Sequence, residues 1–184
     1  AKNGRLWVTW YSGDEGEGAI GNYALVSSSG DEGKKWTKPL VIEGPEGTKI
    51  GDPIPWIDPK GRLWVFYNQL TEKTAKHPTL RATCAIRCDD PTKSTAVLSK
   101  PIVVAEDGIL FGKPLVRAEG GWLAPFFLMG NLQGRPDTGT LLRMDEGASW
   151  QWHGGTSIPE KLRNFSEATL AQPQDGSLWT VIRT

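Results

Sequence analysis

Gly4-Arg5-Leu6-Trp7-Val8 returns residue for residue as Gly61-Arg62-Leu63-Trp64-Val65. Looser copies follow at Gly120-Gly121-Trp122-Leu123 and at Asp175-Gly176-Ser177-Leu178-Trp179. The tryptophans of these four stretches are spaced 57, 58 and 57 residues apart. A second marker keeps the same period. Trp36 and Trp150 end two similar turns and lie 114 residues apart, twice 57. Between them, Ser99-Lys100-Pro101-Ile102 echoes Thr37-Lys38-Pro39-Leu40. Two unrelated markers on one period point to a structural repeat, in which each unit is one supersecondary element stacked on the next.

Within a unit the texture is strand and turn. Pro53 to Ile57 reads as a strand, Asp58-Pro59-Lys60-Gly61 as a hairpin turn, Leu63 to Asn68 as the next strand and Thr79 to Arg87 as a third. No stretch carries a sustained i, i+3, i+4, i+7 apolar stripe, so little helix is expected. Nine tryptophans, 22 glycines and 13 prolines among 184 residues fit many short strands joined by frequent turns. A four-stranded propeller blade takes about 40 to 60 residues, the size of this repeat. The predicted fold is therefore all-β, a β-propeller present in part, with about three blades. Residues 1–46 form the tail of one blade, 47–105 and 106–162 two fuller ones, and 163–184 the first two strands of another. A β-sandwich of stacked hairpins is the alternative, but sandwiches seldom keep a fixed sequence period. Three blades leave long unpaired edges. With no initiator Met and a motif in progress at Gly4, the sequence reads as a piece of a longer protein, or as one whose ring a second chain completes.

Lys plus Arg and Asp plus Glu both number 21, a formal net charge of zero. This argues against nucleic acid or an acidic membrane as partner, since either favours a basic excess. No apolar run approaches the roughly 18 residues of a membrane span, and no signal peptide is visible. Cys84 and Cys88 have half the spacing of a zinc site, but His77 and His153 are scattered and complete nothing. In an extended strand, residues four apart are separated by about 13 Å, too far for a disulfide. Both cysteines read as ordinary strand residues.

Ser29-Gly30-Asp31-Glu32-Gly33-Lys34-Lys35-Trp36 fits the pattern S-x-D-x-G-x-[ST]-W except at Lys35, and Arg143-Met144-Asp145-Glu146-Gly147-Ala148-Ser149-Trp150 fits it except at Arg143. The pattern has a physical logic. A short Asp side chain accepts bonds from nearby amides and fixes a tight hairpin. Gly supplies a positive φ without a Cβ penalty. The Trp ring is expected to fold between blades and bury apolar surface. Arg87-Cys88-Asp89-Asp90-Pro91 stands where the intervening copy belongs and looks degenerate.

On these turns and the period, the sequence resembles the sialidase-like six-bladed propellers with BNR, or Asp-box, repeats, over essentially its whole length. The resemblance implies a propeller of sialidase type. It also implies structural roles for Asp31 and Asp145, whose turns lie away from the active site in that family.

Ligands of a propeller bind at one end of the central channel, so polar residues at equivalent strand ends are the candidates. Gly51-Asp52-Pro53, Gly112-Lys113-Pro114 and Ser166-Glu167-Ala168 precede or open the first strands, placing Asp52, Lys113 and Glu167 in one register. Tyr11, Asn68, Phe126 and Arg183 each follow a repeat Trp by four residues and form a second register. Glu167 and Arg183 lie 16 residues apart, and hairpin pairing brings both to the same end of a blade. By resemblance, Glu167 is the carboxylate that polarises a tyrosine nucleophile. Arg183 is then one of three arginines that grip a substrate carboxylate, a task that suits bidentate guanidinium bonds. The first of those arginines belongs upstream of Ala1, and the third, with the tyrosine, downstream of Thr184. A plain Glu–Arg salt bridge is the competing reading.

Trp10-Tyr11-Ser12-Gly13-Asp14-Glu15-Gly16-Glu17-Gly18 is glycine-rich and acidic. The family carries its acid/base Asp in the corresponding loop. Glu17 is the best-matching position, with Asp14 as second choice. An exposed acidic loop, or a cation site of Asp14, Glu15 and Glu17, stays open beside that. Trp56 reads as core packing before sugar stacking. The loop Asn131 to Asp137, with Gln133 and Arg135, reads as solvated before ligand-binding.

The resemblance thus implies a secreted or periplasmic exo-glycosidase. It would remove a terminal anionic sugar of the sialic-acid type from a glycan by a retaining mechanism, and would need no metal or organic cofactor. Two other readings stand beside it: a propeller glycosidase or lyase for a uronic-acid-type sugar, suggested by Glu in place of Asp at position 17, and a non-catalytic propeller that binds glycan or protein.

Overall fold

The computed structural model describes residues 1–71, 81–129, 135–144, 149–162 and 167–184. His77, Gln133, Asp145 and Ser166 lie outside the described residues. The chain divides into two compact units, Ala1–Val103 and Val104–Thr184. Regular structure among the described residues is strand, with one 3-10 turn at Glu160–Leu162. No helix among them is long and apolar enough to cross a membrane. The fold is all-β and is a β-propeller present in part, as the repeat predicts.

In the first unit, β1 (Leu6–Ser12), β2 (Tyr23–Ser29) and β3 (Leu40–Ile42) form a three-stranded antiparallel sheet in that order. β4 (Thr48–Ile57), β5 (Leu63–Thr71), β6 (Arg81–Cys88) and β7 (Ile102–Glu106) form a four-stranded sheet, and the division between the units falls within β7. β4 starts five residues earlier than Pro53 because a bulge between Gly51 and Ile54 absorbs the proline, which has no N–H to give to a ladder. Leu63, Val65 and Tyr67 of β5 join Val26, Ile50 and Ile86 in one buried cluster. Trp64, Phe66 and Asn68 alternate with them and are buried on the other face. Cys84 and Cys88 are free, buried strand residues, and Trp56 is buried 6.4 Å from the ring of Phe66, so packing is its role.

In the second unit, β8 (Gly108–Ile109), β9 (Leu115–Val116), β10 (Trp122–Leu128), β11 (Thr138–Arg143) and β12 (Gln151–Thr156) form one sheet, with β8 and β9 both paired to β10. β13 (Ala168–Ala171) and β14 (Trp179–Ile182) form a separate hairpin.

One turn recurs at the head of four strands. The amides of Gly4, Gly61, Gly120 and Gly176 donate to the carbonyls of Ala1, Asp58, Arg117 and Pro173 at 3.0, 2.8, 3.2 and 3.0 Å. The four glycines have φ of 81°, 82°, 94° and 81°, the left-handed region that a Cβ disfavours. Side-chain oxygens brace three of the turns, with Asn3, Asp58 and Asp175 accepting the amides of Arg5, Lys60 and Ser177. Asp58 goes further. It is 3% exposed, and its carboxylate also accepts the amide and guanidinium of Arg62 and the indole N–H of Trp64.

The Asp-box turn at Ser29–Trp36 closes as its logic requires. Asp31 Oδ1 accepts the Ser29 hydroxyl at 2.8 Å and the Lys35 amide at 2.9 Å, and Gly33 takes φ 88°. Trp36 departs from expectation. Its indole N–H donates back to Gly33 O at 3.0 Å, which folds the ring over its own turn and leaves the residue 45% exposed. In the degenerate copy, the Arg87 carbonyl accepts the Ser99 amide, just as Ser28 accepts Thr37, so that turn is three residues longer. There Asp90 braces the turn, accepting the amide and hydroxyl of Thr92. Arg143 departs from the box pattern because it stacks. It pairs across the ladder with Trp122, lies 5.1 Å from that ring and 5.9 Å from Trp150, and is 6% exposed. Arg87 covers Trp64 in the same way, at 5.6 Å.

Asp58→Ala is expected to destabilise the fold by about 3–5 kcal/mol in chemical denaturation, because it removes the buried carboxylate that accepts a mostly buried guanidinium and an indole N–H. Burial pushes the Asp58 carboxyl up, but the bonds from Arg62 and Trp64 outweigh it and hold the group below its ordinary range. Its stabilisation is therefore present above the unfolded value of about 3.9 and fades as the pH falls below it. The variant should lose less stability than the parent on acidification.

Candidate functional site

The structure gathers the candidate residues other than Lys113 into two clusters, one in each unit. In the first, Tyr11 stands near the end of β1, Asp52 in the bulge of β4, Asn68 on β5 and Glu17 in the loop between β1 and β2. Tyr11, Glu17 and Asp52 line a cavity of about 100 Å³ together with Lys49 and Asn22. Asp52 has φ 49°, a left-handed value unusual for a non-glycine residue, which turns it out of the ladder. The Asn68 amide donates to Asp52 Oδ2 at 3.1 Å and accepts the Thr83 hydroxyl at 3.0 Å. Asn68 and Thr83 are fully buried, so this chain fixes the carboxylate.

The loop carrying Glu17 is itself pinned. Gly21 N donates to Thr48 O at 2.9 Å, and Ile50 N to Asn22 O at 2.8 Å. The Asn22 side chain reaches back to Gly16 O at 3.0 Å, and Lys49 Nζ reaches Gly18 O at 2.5 Å. Glu17 is exposed at the rim of the cavity. Burial pushes the Tyr11 phenol above its ordinary value, and its hydrogen bond to Glu17 and the charges of Glu17 and Asp52 add to this. Asp14, Glu15 and Glu17 do not converge on a metal position: among the described residues, no three His, Cys, Asp or Glu side chains do.

In the second unit, Glu167 and Arg183 flank the β13–β14 hairpin. Arg183 Nη1 lies 3.1 and 2.9 Å from the two carboxylate oxygens, and the Arg183 amide donates to the Glu167 carbonyl at 2.8 Å. The side chains are 56% and 36% exposed for Arg183 and Glu167. Lys113 is exposed and makes no pair with Phe126, which is buried. Its neighbour Gly112 packs so closely that an added Cβ would meet Pro125 at 2.7 Å and the Ala168 carbonyl at 3.0 Å. Arg135 covers the Trp152 ring at 5.7 Å.

The two registers therefore meet twice. Asp52 with Asn68 and Glu167 with Arg183 are each 16 residues apart and each bonded across the first hairpin of a sheet. Lys49, Asn22 and Thr83 were not visible as site residues. The one signal for Lys49 was its alternation with Gly51 on β4.

Titration of the tyrosines by NMR checks the first cluster. Tyr11 is expected to ionise above the ordinary value of about 10. Glu17→Gln and Asp52→Asn should each bring it part of the way down, while buried Tyr67 stays put. A Tyr11 titration unmoved by both changes would contradict the arrangement.

Residues 4–184 match the family described as BNR repeat-like domain. No curated protein matches the sequence. Among solved structures, a protein of unknown function from Dyadobacter fermentans is similar with a TM-score of 0.75 at 16% identity, covering 99% of this chain and 59% of that one. A Hadza microbial sialidase is similar with a TM-score of 0.71 at 19% identity, over 99% of this chain and 40% of its own. A thermostable family-43 glycoside hydrolase follows with 0.61 at 13% identity, over 98% and 62%. The chain thus spans between 40% and 62% of the length of these structures. Identities this low speak for the fold, which is a sialidase-type β-propeller present in part and is shared with propeller glycosidases. The family match runs over nearly the whole sequence, and on it the chain belongs to the BNR repeat-like domain family.

Proposed function

We propose that this chain is part of a propeller exo-glycosidase that removes a terminal anionic sugar of the sialic-acid type from glycans, with retention at the anomeric carbon. The observation that carries the reading is the Glu167–Arg183 pair. A guanidinium is held in a fixed orientation by one carboxylate at an exposed strand end, where it can receive a second carboxylate from a ligand. The reading also rests on the fold shared with a sialidase.

In this scheme Glu17 protonates the leaving glycosidic oxygen as the bond to the anomeric carbon breaks. A tyrosine passes its phenol proton to Glu167 and forms the new bond to that carbon, the exception to the usual carboxylate nucleophile. Water then attacks the anomeric carbon, the tyrosine leaves and recovers its proton from Glu167, and Glu17 takes the proton that the water loses. Asp52, held by Asn68, and Tyr11 shape the wall around the proton donor, and Lys113 lies at the equivalent strand entry. Among the described residues the cavity is lined by two carboxylates, Glu17 and Asp52, and one ammonium, which disfavours an acid group and supports Arg183 as the partner of the sugar carboxylate. The sheets 6–42, 48–106, 108–156 and 168–182 then correspond to successive blades of one propeller.

Hydrolysis of a fluorogenic sialic-acid glycoside by the full-length parent protein, beside a panel of uronides, tests this reading. Glu17→Gln is expected to lower kcat by about 100- to 10,000-fold. Arg183→Lys should reduce kcat/KM by about 10- to 100-fold through loss of the forked contact. Cleavage of uronides alone would move the substrate class. Glycan binding without any turnover would make the propeller a binding module.

A further inference from the structure

We propose that Lys49 is a positioning residue for Glu17: its ammonium clamps the Gly18 carbonyl and so fixes the loop at the residue that follows that carboxylate. The proposal rests on Glu17 as proton donor only for its kinetic arm. Gly16, Gly18 and Gly21 have φ of 98°, 79° and 89°, so the loop passes three times through backbone space that only glycine visits freely. Such a segment loses much conformational entropy when ordered and needs anchors outside itself. Two backbone bonds to Thr48 and Ile50 secure its far end, at Gly21 and Asn22. The bond from Asn22 to Gly16 is internal to the loop and moves with it. The Lys49 ammonium ties the Gly18 carbonyl, one residue past Glu17, to β4 at 2.5 Å, while the Glu17 side chain itself bonds the Tyr11 phenol on β1.

Lys49 is also placed to act as more than a tether. It is half-buried on β4, three residues from Asp52, and among the described residues it is the one cation lining the cavity that Tyr11, Glu17 and Asp52 share. A Cβ on Gly18 would make only ordinary contact with Nζ, at 3.5 Å, so glycine is required there by its φ of 79° and not by space. The same loop carries the Gly18 carbonyl that Lys49 holds and the Glu17 side chain at the cavity rim, so a loose loop would displace the carboxylate. Misplacing a catalytic group by about 1 Å costs on the order of 100-fold in rate.

The test uses the full-length protein with Lys49→Met and Lys49→Arg. In Lys49→Met, amides 16–19 should exchange with deuterium about tenfold faster or more, while those of β5 stay unchanged. With the sialoside, kcat should fall about tenfold or more with KM changed less than about threefold, and Lys49→Arg should restore most of both. Unchanged exchange in Lys49→Met overturns the clamp whatever the kinetics. Faster exchange with unchanged kcat overturns the positioning role. If the wild type hydrolyses no glycoside, the glycosidase reading falls, and the exchange arm alone decides for or against the clamp.

Discussion

The glycine at the head of each Leu-Trp strand carries a constraint that propagates through the whole sheet. It sits at φ near 80° to 95° and closes a turn onto the carbonyl three residues back. Any residue with a Cβ resists that region by about 1 kcal/mol or more. The turn fixes where the chain reverses. Because side chains alternate with a period of 2, fixing the reversal fixes the face of every residue that follows. From Gly61 the count sends Leu63, Val65 and Tyr67 into the apolar cluster and Trp64, Phe66 and Asn68 to the opposite face. It also sets Asn68 opposite Gly51, within reach of Asp52. The same count from Gly176 pairs Ala168 with Ile182 and brings Arg183 to Glu167. A backbone requirement at one residue thus decides which side chains meet at the strand end seven residues away.

This is why the repeat was legible and why it pointed to pairs. The spacing of Trp7, Trp64, Trp122 and Trp179 carried the strand order, and the offset from each tryptophan carried the polar register. What the repeat could not carry are the features that occur once. The bulge at Gly51–Ile54 and the three-residue extension between Arg87 and Ser99 break the period locally. The burial of Asp58 under Arg62 and Trp64 depends on side-chain reach, which spacing does not encode. The loop between β1 and β2 has a sequence that the repeat does not carry. Its acidic, glycine-rich composition marked it as a candidate, but its attachment to β4 through Lys49 and Ile50 is a non-local match that only the folded chain reveals. Trp36 follows the same rule. Its position in the turn was legible, whereas its ring direction is set by a single bond to Gly33.

The two acid–partner pairs share a scaffold position and differ in environment, and in the proposed function that difference suits them to different work. Asn68 is wholly buried and bonded at both ends of its amide, so Asp52 is held in place. A group held that firmly suits the wall of a site. Glu167 and Arg183 meet at the surface, where an ion pair is worth about 0–1 kcal/mol because water screens it. The low net worth of that pair makes it useful for recognition. Glu167 has already oriented the guanidinium, so an arriving carboxylate does not bear that entropy cost. A ligand that displaces water lowers the local dielectric and strengthens every contact the arginine makes. An arginine buried as Arg143 is, between Trp122 and Trp150, has spent the same capacity on the fold. The register and exposure of Arg183 support its proposed role toward an anionic ligand.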